Sequence, residues 1–376
     1  LPEGDGTTSA PLQISSAEQM GALAARVNAG ETFLCADLLM DINMTGERYK
    51  GTIDNPIRWK PIGTAANVYK GEFNGKGNAI GYMKVEEDGY AGLFGCAGNG
   101  DQPGDTSAEI VGLGLYPSCS VTATGTSGGE GAGGFVGMAV KGGNSDTPVR
   151  IYDCYNRGSV AGMTGKTGAF VGNCTATEGS GYRIRRGYAA GSITSKTGTP
   201  GAIGGTGGPL KASVQVDTCF WNKDIAPGLE AVGNGVYTYS QCSGKTTVQM
   251  STALADKDGE LVWLLNRYTS PVDGRVWQRS DLRNDGYPVF ASGDVAAVTW
   301  ADVGGKVAAP RCKDLTSPGT AGQASNPYQI MSAEELAWFA CQVNNGNPGL
   351  CAELKADINL FGGLYSGFAY DTGDPD

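Results

Sequence analysis

The 376-residue chain carries 28 Lys+Arg against 38 Asp+Glu, a formal net charge of −10, includes 61 Gly and 10 Cys, and has no His. Without His there is no Ser-His-Asp triad, no Cys-His pair and no His-ligated zinc or haem. The acidic balance without a basic cluster argues against nucleic acid, and no apolar run approaches the roughly 18 residues of a membrane-spanning helix.

The chain opens LPEGDGTTSAP, which reads as a mature or trimmed N-terminus. Residues 1–64 form an opening unit, a strand, a helix and a strand. Ser16 with Gln19 is a capping box that starts the helix, and Gly30 stops it. Residues 65–222 repeat. Gly92-Leu93-Phe94-Gly95 recurs as Gly134-Phe135-Val136-Gly137, as Ala169-Phe170-Val171-Gly172 and, degenerate, as Ala202-Ile203-Gly204-Gly205. A second motif follows, with Tyr155, Tyr188 and Phe220 at one repeat position and Cys154, Gly187 and Cys219 at another. Such units are too small to bury their own apolar faces, so like units stack and equivalent residues form ladders. Phe94, Val136, Val171 and Ile203 are expected to stack inward on parallel strands ~4.8 Å apart. The Tyr155, Tyr188 and Phe220 ladder is expected in the core; exposed, it would bind sugar faces.

A closing segment follows over residues 223–295, then a Gly/Pro/Ala/Ser-rich linker over 296–327. Residues 328–376 repeat the opening unit in truncated form. Gln329-Ile330 through Glu335 matches Gln13-Ile14 through Gln19, and Cys351 through Asn359 matches Cys35 through Asn43. Ser332 with Glu335 repeats the capping box, and Leu336, Phe339 and Val343 make an apolar helix face. So short a piece needs a partner for that face, so it is expected to dock on residues 223–327 or on a neighbouring molecule. The even Cys count suits an oxidising compartment and disulfide bonds. Cys154 and Cys219, two repeats apart at ~9.6 Å, lie beyond disulfide reach, whereas Cys341 and Cys351 are better mates.

The G-L-F-G, G-F-V-G and A-F-V-G series, with its C-Y-N-R-G-S-V and G-Y-A-A-G-S-I strands, resembles the GLUG motif. That motif occurs in bacterial surface adhesin-like proteins and beside the catalytic region of some immunoglobulin A peptidases. The resemblance covers residues 12–290 and restarts at 328. It implies a mainly β fold, a right-handed parallel β-helix (solenoid) with short capping helices, on a secreted or wall-attached bacterial protein. The ten cysteines depart from the pattern, and no sorting signal of the LPXTG kind is present.

The search for chemistry is mostly negative. Gly165-Lys166-Thr167 and Gly244-Lys245-Thr246 lack the preceding Gly of a phosphate loop, with Val160 and Tyr239 in its place. Ser127 lies in a G-x-S-x-G match, but no His exists to activate it. Asn99, Asp101 and Asp105 read as an ordinary turn rather than a calcium loop. Asn43 and Asn173 head glycosylation sequons, which mean little in a bacterial protein. Asp153 and Asp217 fall at comparable strand positions near Arg183, Arg185 and Arg186, and are expected to form weak surface ion pairs. No cleft with two close, pKa-shifted carboxylates is expected.

The sequence thus suggests a non-enzymatic, extracellular cell-surface module that adheres or projects. No catalytic, cofactor or metal residues are assigned. The partner would be a host or cell-wall glycan or protein, not nucleic acid. A carbohydrate-active β-helix enzyme and a non-catalytic accessory region of a surface peptidase stay open as alternatives.

Overall fold

A computed structural model describes residues 2–44, 58–98, 107–126, 130–140, 147–174, 181–206, 214–234, 237–255, 259–267, 276–279, 284–290, 322–330, 333–344 and 347–355. Ser127, Asp101, Asp105, Ser332 and the side chain of Cys341 lie outside these residues. The chain divides into two units, Leu1–Arg279 with Pro288–Val298, and Ser280–Tyr287 with Thr299–Asp376.

The first unit is mainly β, built from ranks of parallel strands. Rank one runs through Leu12–Ile14, Ala36–Leu38, Glu72–Asn74, Glu109–Val111 and Val149–Tyr152, then the first halves of Tyr182–Ala189 and Val214–Asn222, to Thr238–Ser240. The second halves of those two long strands belong to rank two, with Ile42–Asn43, Ala79–Gly81, Gly114–Leu115, Tyr155–Asn156 and Ser243–Lys245. Rank three holds Lys84–Glu87, Ser120–Ala123, Ser159–Gly162 and Ile193–Ser195. Rank four holds Tyr90–Ala91, Gly131–Gly133 and Thr167–Gly168. Rank five holds Phe94–Gly98, Val136–Val140, Val171–Cys174, Gly204–Thr206 and Val232–Asn234. The chain visits the ranks in order and then returns to the first, so each visit pairs with the one before.

Alternation explains the pairing. Successive side chains on a strand face opposite ways, so one apolar residue per visit builds a buried column. Rank one stacks Phe73, Ile110, Ile151, Ile184 and Val216, each fully buried. Rank three stacks Val85, Val121, Val160 and Ile193. Burying one such side chain contributes about 1.5–3 kcal/mol. In rank five Phe94, Val136 and Val171 share a column as expected, but the next member is Gly204. Ile203 is buried one step away, its backbone pairing with Phe170. The glycines of rank four let two backbones touch: a Cβ on Gly133 would lie 2.1 Å from the Val136 carbonyl oxygen.

The corner between ranks one and two repeats a left-handed residue on five successive visits: Gly112, Asp153, Arg186, Thr218 and Gln241, with φ from 52° to 61°. For a residue other than Gly this costs about 1–2 kcal/mol. Helix α1 (Ala17–Asn28) precedes the second strand of rank one and buries Met20, Leu23, Ala24 and Val27 in the same core. The Ser16 hydroxyl accepts the Gln19 N–H at 3.3 Å, and the Gln19 side chain accepts the Ser15 N–H at 2.7 Å, so the reciprocal arm of the box lands one residue early.

The closing segment adds helices α2 (Thr247–Ser251) and α3 (Leu261–Asn266) and an antiparallel pair, Trp277–Arg279 with Pro288–Phe290. In the second unit Tyr328–Ile330 and Ala352–Leu354 pair in parallel on either side of helix α4 (Ala333–Asn344). Tyr328, Gln329 and Ile330 face Ala352, Glu353 and Leu354, as Leu12, Gln13 and Ile14 face Ala36, Asp37 and Leu38. Leu336, Phe339 and Val343 are half-buried.

Candidate functional site

Residues flanking the inner column of rank one point away from the core. One outer row reads Glu72, Glu109, Arg150, Arg183, Gln215 and Thr238; the other includes Tyr152, Arg185, Asp217 and Ser240. Two depressions open along this face. The larger, ≈ 500 Å³, is lined in part by Phe33, Cys35, Glu72, Glu109 and Arg150. The smaller, ≈ 350 Å³, is lined by Arg183, Arg185, Gln215, Asp217, Thr238 and Ser240 among others.

Charges on the face are mostly paired. Arg150 contacts Glu109 at 2.7 Å and Arg185 contacts Asp217 at 3.1 Å. The Ser240 hydroxyl also donates to Asp217. Among the described residues Arg183 makes no ion pair, and its buried Nε has no hydrogen-bond partner. Burial pushes the Tyr152 phenol above its ordinary range, and Arg183 partly opposes it. Burial also raises Glu109, opposed by Arg150 and reinforced by Glu72. Two carboxylates, Glu72 and Glu109, thus line the larger depression, and Glu109 is raised. Glu72 and Glu109 are register partners on neighbouring strands, brought together by stacking from 37 residues apart, and no local motif marks them.

Asp153 and Asp217 do not share a column. Asp217 aligns with Arg185 and Tyr152, whereas Asp153 sits at the left-handed corner with Arg186. Nor is the Asp153 pair a surface one. Asp153 and Arg186 are 0% and 3% exposed, 3.1 Å apart, and the Arg186 Nε–H donates to the Leu265 carbonyl of α3 at 3.1 Å. The pair is a structural tie between two visits and the closing segment.

Tyr155, Tyr188 and Phe220 form a buried ladder, yet not in the main core. Cys154 and Cys219 belong to the core cluster, and the adjoining Tyr155 and Phe220 face the other way. Tyr155 and Tyr188 stack at 5.2 Å, 4° from parallel. The closing segment covers them: the Trp277 ring lies 6.4 Å and 5.8 Å from the two, and the Tyr188 hydroxyl donates to the Pro288 carbonyl at 2.7 Å.

Cys154, Gly187 and Cys219 occupy one column, and Cys242 follows Cys219 in it. The eight described cysteines, Cys154, Cys219 and Cys351 among them, form no disulfide with one another. Among the described residues no group of three or more Cys, Asp or Glu is placed to hold a metal ion, and no helix is long and apolar enough to cross a membrane.

No family model matches this chain, and no curated protein matches it. The GLUG resemblance therefore rests on the motif residues alone. Among solved structures the chain is similar to a candidate immunoglobulin A1 protease from Bacteroides ovatus, with 18% identity and a TM-score of 0.49, over 77% of this chain and 95% of that one. A likeness this slight carries no argument about activity.

Proposed function

We propose that the parallel ranks are the faces of a right-handed β-helix, and that the chain is a non-enzymatic, extracellular bacterial surface module that adheres or projects. The supporting observation is the in-register stacking of parallel strands from Leu12–Ile14 to Ser243–Lys245, with apolar columns running along it. Such a stack is a stiff, quasi-one-dimensional scaffold whose outer rows vary without disturbing the columns. The test is a panel of immobilised glycans and extracellular-matrix proteins, run beside hydrolysis and elimination assays on the same glycans. Binding without turnover is expected. Turnover, or no binding to any member of the panel, overturns the reading.

A second reading, a carbohydrate-active enzyme, is favoured by one observation, the register pair Glu72 and Glu109 in the larger cleft, with Glu109 raised. Neighbouring strands set carboxylates near the separation of a retaining glycosidase pair, about 5 Å. The 2.7 Å contact of Arg150 favours the ionised form of Glu109, opposes the rise caused by burial, and speaks against its serving as the acid. Turnover abolished by Glu109→Gln would decide for this reading.

A further inference from the structure

We propose that the outer face of rank one binds a linear acidic polysaccharide laid along the stack, with Arg150, Arg183 and Arg185 taking its anionic groups; this rests on the reading as a surface module. In a chain of net charge −10, three arginines fall on two neighbouring strands of one face. They lie between the two depressions, since Arg150 lines one and Arg183 and Arg185 line the other. A polymer occupying both must cross them.

The pairing pattern selects the ligand. Among the described residues Arg183 has no ion-pair partner and its Nε is without a hydrogen bond, so its planar donor fork is open to a carboxylate or sulfate. Arg150 and Arg185 keep their second donors while held by Glu109 and Asp217. A nucleic acid, with a phosphate at every residue, would meet Glu72, Glu109 and Asp217 on the same face and be repelled. A uronate polymer also carries a charge on every sugar, but its free hydroxyls donate to those carboxylates, which phosphate oxygens cannot do. The ~4.8 Å step between strands is also close to the length of one pyranose, so successive sugars meet successive visits.

The experiment is affinity electrophoresis of the full chain through polygalacturonate, alginate and, as the neutral control, dextran, at two salt concentrations. Retardation by the acidic polymers only, weakened by salt, is expected, with at least a tenfold loss in Arg183→Glu. Because Arg183 makes no ion pair among the described residues, Arg183→Gln is the variant that keeps the fold, and it should lose several-fold. Circular dichroism should match the parent for both. No retardation by either acidic polymer overturns the inference; if the glycan or matrix panel still finds a ligand, the surface-module reading survives. Retardation unchanged in both variants overturns the site. Retardation lost in the variants, together with release of unsaturated or reducing ends, supports the site and overturns the non-catalytic reading.

Discussion

The two copies of the strand–helix–strand unit share a register but not a burial pattern. In the first, Leu38 is fully buried; its counterpart in the second, Leu354, is 59% exposed. The first copy receives a further strand, with Phe73 pairing beside Ala36. Among the described residues of the second, Ala352–Leu354 pairs with Tyr328–Ile330 alone. The helix and strand pair form from local signals in both copies, and in the first the apolar face is finished by the next visit of the chain.

That contrast sets the size of mutational effects. The largest belongs to a residue that needs two visits and the closing segment together. Asp153→Ala removes a buried ion-pair partner of Arg186 and should cost about 3–5 kcal/mol in urea unfolding; a loss below about 1 kcal/mol would show the pair to be solvated. Next, Leu38→Ala should cost about 2–5 kcal/mol, against about 0.5 kcal/mol or less for Leu354→Ala. Equal losses would break the comparison.

The smallest effect is a pH slope from the outer face. The folded pKa of Glu109 is raised, so the folded state holds this proton more tightly than the unfolded chain. Its contribution to stability is present at low pH and is lost as pH rises from the ordinary carboxyl value of 4.5 through the raised one. Glu109→Gln should flatten that part of the stability–pH curve; an unchanged slope would place its origin elsewhere.

The stacking was legible because repeats carry their own alignment: Cys154, Gly187 and Cys219 line up in sequence and in space. The slip at Ile203 came from matching apolar character where the column continues through a glycine, Gly204. Which face of Tyr155 and Tyr188 is covered could not be read locally, since the cover arrives 100 residues later at Pro288. For the outer face, Arg183 and Arg185 stood out as a basic cluster, but Arg150, Tyr152, Glu72 and Glu109 were missed. A signal was present: Arg150-Ile151 and Arg183-Ile184 occupy one repeat position, so a second arginine was due on the same row.

The return of the chain to rank one every few tens of residues has a kinetic meaning. Nearly every non-local contact in the stack spans one such return, whatever the length of the whole. Loop-closure entropy is then met in equal instalments, and the mean contact separation does not grow as visits are added. Each completed visit presents an ordered edge on which the next can zip, and assembly can start at any of them. A chain built this way can order itself visit by visit as it emerges from a ribosome or a secretion pore.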